Sequence, residues 1–255
     1  MKLCANISFL WKDLTPGNRI LAAAAAGFDG VEILFPYDLP VPEIRDALDQ
    51  TKLKLALINC PPPNYTGGAR GFAAVPGGEE RFRHDFRRAL RYARSLKAEH
   101  LHIMAGVAEG PEAEACFVEN LSWAAGEAGG FSLTIEPINP VDMPGYFLGS
   151  FDLAARVLDA VAAPNLALQF DAYHAHRITG DVAGTWARHG HRARHIQVAD
   201  HPGRHHPGSG EIDFTGFFDA LRAAGYDGWI SGEYVPDGSP ETGLDWLAQA
   251  RGGGS

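Results

Sequence analysis

The chain has 255 residues, of which 45% are hydrophobic, and a formal net charge of −9. This length is typical of one α/β barrel, and the acidic balance argues against DNA or RNA as a partner, because nucleic-acid binders concentrate Lys and Arg. No stretch approaches the about 20 apolar residues that a membrane span needs, so we expect no membrane insertion.

Three cysteines, Cys4, Cys60 and Cys116, are widely separated and form no CxxC motif. Neither a disulfide framework nor a zinc knuckle is therefore expected. The first residues show no basic region followed by an apolar run and a cleavage site, so the sequence predicts a reduced, cytoplasmic protein.

In chain order, eight short apolar or β-branched runs alternate with helical patterns, which predicts a parallel sheet. The predicted strands cover residues 3–10, 30–36, 53–60, 100–106, 132–139, 166–171, 193–200 and 228–234. Several of these runs are continuously hydrophobic and end in polar residues, as strands buried on both faces do. We therefore predict a single (β/α)8 TIM barrel over residues 1–250, with residues 251–255 as a flexible tail.

Between the strands, segments such as residues 80–96 and 151–161 carry apolar residues at helical spacing and are predicted to be outer helices. Two long Gly- and Pro-rich connections, residues 61–78 and 201–211, follow the third and seventh strands. Both leave the strand ends where barrel active sites are built, so we interpret them as walls of the barrel mouth. The alternative is that they are tolerated insertions.

The strongest functional signal is an oxygen-bearing side chain at the end of each of four successive strands. These residues are Glu136, Asp171, Gln197 and Glu233. Because such ends converge in a barrel, three carboxylates would repel one another unless their pKa values rise or a cation lies among them. An all-oxygen donor set favours one hard divalent ion, Mg²⁺ or Mn²⁺. The alternative is that each residue pairs with an arginine or the backbone.

Further polar residues at the same end are candidates for binding a substrate. The predicted substrate-binding set is His174, Arg204, Asn59, Arg70 and His102. A guanidinium would complement a substrate carboxylate, and an imidazole would hydrogen-bond a hydroxyl or carbonyl oxygen. Arg204 as a solvated charge, His174 as a residue that only orients a ligand, and His102 as a satisfied barrel histidine stay open as alternatives.

A run of histidines in the connection after the seventh strand resembles a transition-metal tract. It comprises His201, His205 and His206. No second group stands at ligand spacing in the sequence, so we interpret this run as a solvated loop. The Gly-rich segments match no nucleotide-binding fingerprint.

Seven phrases distributed along the chain resemble hydroxypyruvate isomerase and its relative 2-oxotetronate isomerase, of the xylose isomerase-like barrels. They are ANIS (5–8), GVEILFP (30–36), IEPIN (135–139), QFDAYH (169–174), HIQVAD (195–200), PGSGEI (207–212) and GEY (232–234). The resemblance implies Glu136 and Glu233 as the proton-transfer pair and metal ligands, with Asp171 and Gln197 completing the metal site. It also assigns the motif histidine to His174 and the loop arginine to Arg204.

The expected activity is interconversion of hydroxypyruvate and tartronate semialdehyde by glutamate-mediated proton transfer through an enediolate. The phrase at 102–106 is more like the 2-oxotetronate branch and that at 136–139 more like the hydroxypyruvate branch, so a 2-oxotetronate isomerase stays open, as does a ketose 3-epimerase. More distant alternatives are a DNA-repair nuclease, which would need a basic groove, and a non-catalytic sugar-acid-binding barrel. A homo-oligomer is compatible with a barrel of this size.

Overall fold

Eight parallel strands close into a barrel in the order of the sequence in the computed structural model, which describes residues 1–61 and 70–252. The strands are β1 (Lys2–Asn6), β2 (Gly30–Glu32), β3 (Lys54–Cys60), β4 (His100–Ile103), β5 (Ser132–Ile135), β6 (Leu166–Asp171), β7 (Ala193–Val198) and β8 (Trp229–Gly232). Each strand is parallel to both neighbours, and β1 pairs with β8, with Lys2 opposite Trp229. The predicted (β/α)8 barrel is confirmed.

Helices follow the strands and surround the barrel. They are α1 (Pro16–Ala25), α2 (Val41–Thr51), α3 (Glu79–Leu96), α4 (Gly110–Ala128), α5 (Phe151–Val161), α6 (Ala172–Thr179), α7 (Val182–His189), α8 (Phe214–Ala223) and α9 (Trp246–Ala250). The helices predicted at residues 80–96 and 151–161 correspond to α3 and α5. Among the described helices, none is both long and apolar enough to cross a membrane.

All eight predicted strands are present, but several end earlier than predicted. β5 ends at Ile135 and β8 at Gly232, so Glu136 and Glu233 each lie one residue beyond a strand. The polar ends of the predicted runs therefore leave the hydrogen-bonded ladder and enter the connecting loops. In this way the barrel presents these side chains at its carboxyl-terminal mouth.

The main hydrophobic core lies between the barrel and the helices. Phe170 of β6 is fully buried and contacts Phe151 of α5, Trp186 of α7 and Phe217 of α8, with ring centroids 5.1, 5.3 and 5.8 Å away. Because neighbouring side chains on a strand point to opposite faces, Gln169 and Asp171 point away from this core and toward the barrel interior.

The barrel interior is polar as well as apolar. His195 Nε2 of β7 lies 2.6 Å from Glu32 Oε2 of β2, and both side chains are fully buried. Since β8 and β1 separate these two strands on the ring, this hydrogen bond crosses the interior.

Cys4, Cys60 and Cys116 are buried and free. Helix α9 ends at Ala250, and exposed Arg251 donates to the Gly27 carbonyl at 2.7 Å. The remaining residues of the predicted tail, 253–255, lie outside the described residues, as does the part of the predicted mouth loop at 62–69.

Candidate active site

A cavity of about 160 Å³ opens at the carboxyl-terminal mouth of the barrel. The residues from the predicted catalytic and substrate-binding sets that line it are Asn59, Arg70, His102, Glu136, His174, Arg204 and Glu233. Asp171 and Gln197, the other two predicted metal ligands, are 1% exposed and are not among the lining residues. The structure therefore brings side chains from six strands or their following loops to one small chamber.

Glu136 and Glu233 are carboxyl groups enclosed by protein. Burial raises the pKa of Glu136 well above the ordinary carboxyl range, and the nearby charges of Asp171 and Glu233 raise it further. Burial likewise raises the pKa of Glu233, against which the Arg204 guanidinium acts. Raised carboxyl pKa values in a cleft are typical of groups that exchange protons at neutral pH.

Arg204 supplies the positive charge nearest these carboxylates. Its Nη2 lies 3.3 Å from Glu233 Oε2 and 3.5 Å from Asp171 Oδ2. The guanidinium carbon also lies 5.2 Å from the Phe9 ring centroid and 5.0 Å from that of Tyr173. Two aromatic faces and two carboxylates thus fix the guanidinium at the cavity wall, so Arg204 is not a solvated loop charge.

His174 presents a hydrogen-bond donor to the cavity. The Asn139 amide cannot be reversed, because its Oδ1 accepts from the backbone N–H groups of Val141 and Asp142. Its Nδ2 therefore donates to His174 Nδ1, at 2.7 Å. The ring proton must then be on Nε2, which lies 3.8 Å from Glu136 Oε1 and 3.7 Å from Asp171 Oδ2.

His102 has the opposite hydrogen-bonding role. Its Nδ1 donates to Asn59 Oδ1, 3.2 Å away, which leaves Nε2 as an acceptor. That Nε2 is buried, has no hydrogen-bond partner among the described residues and lies 3.7 Å from Glu136 Oε2. Burial lowers the pKa of His102 to about 3 and that of His174 to about 4, so both imidazoles are neutral near pH 7.

Gln197 lies below the cavity in a chain of amide hydrogen bonds. Gln169 Nε2 donates to Glu136 Oε2 at 3.0 Å and to Gln197 Oε1 at 2.7 Å, while Thr134 Oγ1 donates to Gln169 Oε1. Because one of the two lone pairs on Gln197 Oε1 remains, the predicted ligand role of Gln197 stays a prediction.

The chain of amides ends at Glu32, a residue for which the sequence predicts no role. Glu32 Oε1 accepts from Asn6 Nδ2 and Gln197 Nε2, each at 2.6 Å, in addition to the His195 contact at Oε2. Burial raises the pKa of Glu32 to about 7. The strand period of two indicates only that Gln169, two residues before Asp171, and His195, two before Gln197, point into the barrel interior. It does not indicate that His195 and Gln197 meet Glu32.

The donors at the mouth fit a divalent cation. A carboxylate oxygen of Glu136, one of Asp171 and a nitrogen of His174 all lie within 4.8 Å of one another. If Glu136, Asp171 and Glu233 are all ionised, Arg204 leaves two charges uncompensated, because the neutral imidazoles cannot balance them. Since Nε2 of His174 carries a proton, the fitting donors are the carboxylate and amide oxygens, as Mg²⁺ and Mn²⁺ prefer.

The loop that carries Arg204 is organised by one buried carboxylate, Asp200. Its Oδ1 accepts from the backbone N–H of His201 and Ile212, and its Oδ2 from those of Gly208 and Gly210, at 2.8–3.0 Å. A Cβ at Gly210 would lie 2.0 Å from the His201 carbonyl oxygen, so only glycine fits this turn.

Comparison with known sequences places the chain among isomerases. The sequence pattern of the family described as xylose isomerase-like TIM barrel matches residues 20–250. The 2-oxo-tetronate isomerase of Cupriavidus necator is 41% identical over 252 residues, which cover 96% of this chain and 97% of that protein. The hydroxypyruvate isomerase of Escherichia coli is 36% identical over 253 residues, covering 97% and 98%.

Solved structures share the barrel fold of this chain. A crystal structure titled AP endonuclease, family 2, from Brucella melitensis has a TM-score of 0.92 and 38% identity, covering 97% of this chain and 98% of that one. A D-allulose 3-epimerase from Methylomonas sp. has a TM-score of 0.74 at 22% identity, covering 98% and 89%, and shares the fold. The chain therefore belongs to the xylose isomerase-like TIM barrel family and is an enzyme of the isomerase type.

Proposed function

We propose that this protein is a divalent-metal-dependent isomerase that interconverts hydroxypyruvate and tartronate semialdehyde by proton transfer. The observation that carries the proposal is that Glu136 and Glu233 line the same small cavity as Arg204, with both carboxyl pKa values raised. Two carboxyl groups and an anion-binding guanidinium in one chamber suit proton transfer on a small carboxylic acid.

The size and charge of the cavity support this substrate class. Its volume of about 160 Å³ is below the about 300–1,000 Å³ typical of sites for drug-sized ligands, and suits an acid of three or four carbons. Arg204 and Arg70 both line it. Two guanidinium groups favour an anionic substrate over a neutral ketose, which argues against the 3-epimerase alternative.

The proposed metal would be held by Glu136, Asp171, Glu233 and the amide oxygen of Gln197. When bound, such an ion supplies Lewis-acid polarisation of a substrate oxygen. The chain's own residues account for the rest of the chemistry. Gln169 holds Glu136 Oε2, so Glu136 Oε1, near His174, is the oxygen left to carry a proton.

In the proposed reaction, one of the two glutamates removes a proton from the hydroxyl-bearing carbon, which leaves an enediolate. The other glutamate, or the same one from its own side, returns a proton to the former carbonyl carbon. His174 Nε2–H would donate a hydrogen bond to the carbonyl oxygen, and His102 Nε2 would accept one from the hydroxyl. In the enediolate, the proton of that hydroxyl moves to the neighbouring oxygen, so the first oxygen becomes a hydroxyl and the second a carbonyl, and both imidazoles stay neutral. One imidazole donates a hydrogen bond and the other accepts one. This matches the two substrate oxygens, of which one gains a proton and the other loses one.

A 2-oxotetronate is the second candidate substrate, and the specific support for it is the 41% identity to the Cupriavidus necator protein. Both candidates need the same pair of glutamates and the same guanidinium. They differ by one carbon, so the relative kcat/KM for the two acids decides between them.

Proton NMR in D2O tests the proposal with hydroxypyruvate and 2-oxotetronate as parallel substrates. The expected result in the wild-type protein is deuterium incorporation, with an aldehyde formed from hydroxypyruvate or a ketone from 2-oxotetronate. This exchange should be lost in Glu136→Gln and Glu233→Gln and kept in Glu43→Gln, a matched change at an exposed glutamate of α2. Chelator treatment should abolish turnover, and added Mg²⁺ or Mn²⁺ should restore it. No turnover and no exchange on either acid by metal-replete protein would refute the proposal.

A further inference from the structure

A second cluster of ligand-type side chains lies outside the cavity, where helix α6 meets the loop after β7. His176 stands on α6, whereas His201 and Glu211 stand at the two ends of the loop. Glu211 Oε2 lies 3.4 Å from His201 Nδ1 and 3.7 Å from His176 Nε2. The sequence predicts a solvated loop for His201 because no second group stands at ligand spacing, but the fold brings His176 and Glu211 next to it.

These distances match the spacing of ligands around one metal ion. Each of the three residues offers one ligand atom, and all three atoms lie within 4.8 Å of one another. In a tetrahedral zinc site with bonds of about 2.0–2.1 Å, neighbouring ligand atoms are about 3.3–3.4 Å apart. The two contacts of Glu211 are therefore close to the edges of such a tetrahedron.

The hydrogen-bonding state of His201 is a separate indication. Its Nδ1 is enclosed and has no hydrogen-bond partner within residues 1–61 and 70–252, although the Glu211 carboxylate faces it. A buried polar atom without a partner requires an explanation, and an ion at the centre of the cluster provides one. The imidazoles of His176 and His201 also lie together, with ring centroids 4.9 Å apart.

We propose that His176, His201 and Glu211 form a binding site for a Zn²⁺ ion, separate from the divalent-metal site proposed at the mouth. Two imidazoles and one carboxylate suit a borderline ion such as Zn²⁺, whereas Mg²⁺ and Ca²⁺ prefer all-oxygen donor sets. Three protein ligands leave a fourth position for water. The side chains of His176 and His201 are 21% and 28% exposed, so the ion reaches them from solvent.

The site would act on the loop that delivers Arg204. An ion bound there joins both ends of the loop, at His201 and Glu211, to helix α6. Helix α6 begins directly after Asp171 and carries His174. Zinc binding would therefore couple the position of the arginine loop to the helix that carries a candidate substrate-binding residue.

Titration of the metal-free full-length chain with Co²⁺ tests the site without using activity, because four-coordinate Co²⁺ bound to imidazoles gives visible absorption bands that Zn²⁺ abolishes. We expect His201→Gln and His176→Gln each to weaken this binding at least tenfold. His191→Gln, a matched change at an exposed histidine before β7, and Glu136→Gln, which alters the mouth, should keep it.

Wild-type-like titration of both His201→Gln and His176→Gln would overturn the proposal, as would loss of the bands in Glu136→Gln alone, which would assign the ion to the mouth. Circular dichroism of each variant separates loss of a ligand from loss of folding. Because activity is not measured, the outcome is independent of whether the proposed isomerase reaction is correct.

Discussion

The amino-terminal floor and the carboxyl-terminal mouth of the barrel both contain carboxyl groups beside basic side chains. The pKa values of these carboxyl groups shift in opposite directions at the two ends. At the amino-terminal floor, Trp229 is 1% exposed, donates through Nε1 to Glu99 at 2.7 Å and lies under Lys2 Nζ, 4.4 Å from the ring centroid. Lys2 also contacts Glu99, at 3.2 Å. The charges of Lys2 and Glu99 therefore pair with each other, and the indole ring of Trp229 fills the barrel interior at the floor.

At the mouth, carboxyl groups crowd together, and polar atoms lack partners. Burial raises the pKa of Glu136 and Glu233, and Nε2 of His102 and Nε of Arg204 are buried without hydrogen-bond partners among the described residues. By contrast, the floor carboxylate Glu99 has its pKa lowered: its burial acts upward, but Trp229 and Lys2 hold the charged form. The difference indicates that the floor stabilises the fold and that the mouth is arranged for a reaction.

The largest expected effect is at the mouth. Glu136→Gln should lower kcat by about 10²–10⁴-fold, the usual contribution of a general acid or base. The free energy of unfolding should stay the same or rise, because the substitution replaces an ionisable group, whose charged form is disfavoured by burial, with a neutral amide. Steady-state kinetics and urea unfolding measure the two quantities. A variant with wild-type kcat would remove Glu136 from the proton-transfer pair.

At the floor, a substitution is expected to lower the stability of the fold and to leave kcat unchanged. Trp229→Ala should lower the free energy of unfolding by about 3–5 kcal/mol, as other large-to-small core changes do, with kcat unchanged at a temperature where the variant is folded. Gly30 shapes this site, because a Cβ there would lie 2.7 Å from the indole. Intact stability with a large loss of kcat would contradict the division between floor and mouth.

A third test concerns the arginine loop. Arg204→Lys should raise KM about 10–100-fold, because a charged hydrogen-bond pair contributes about 1.5–3 kcal/mol and an ammonium does not reproduce a planar guanidinium held between two aromatic rings. Arg188→Lys, at an exposed position of α7, is the matched control. If KM is unchanged and only kcat falls, Arg204 acts on the glutamates and does not bind the substrate.

The smallest expected effect, taken per pH unit, is the pH response of the floor histidine His100. Burial lowers its pKa from 6.5 to about 3 in the folded chain. Below pH 6.5 the unfolded chain binds a proton that the folded chain does not bind until about pH 3, so stability falls as pH falls through this window. The slope is at most about 1.4 kcal/mol per pH unit.

His100→Gln should flatten that slope by one proton's contribution, as measured by urea unfolding between pH 4 and pH 7. His102 and His195, whose pKa values are also lowered to about 3 by burial, should still contribute to the slope in this variant. An unchanged slope would mean that His100 is protonated in the folded chain.

Strand order and the two glutamates were predictable because both depend on local patterns. A hydrophobic run that ends in a polar residue predicts a barrel strand and its mouth, and Glu136 and Glu233 line the cavity as expected. The contacts of Glu32 depend on which side chains meet across the barrel, from β2 to β7, and no local pattern carries that information. The same holds for His201, whose partner His176 is on another element.

The four backbone N–H groups gathered by Asp200 have a consequence for affinity. Because one carboxylate ties this loop at its base, the fold itself orders the loop without a substrate. Conformational entropy is then lost during folding and not during association. The proposed three-carbon acid, which has few atoms to contribute contacts, would therefore not have to order the segment of chain that binds it.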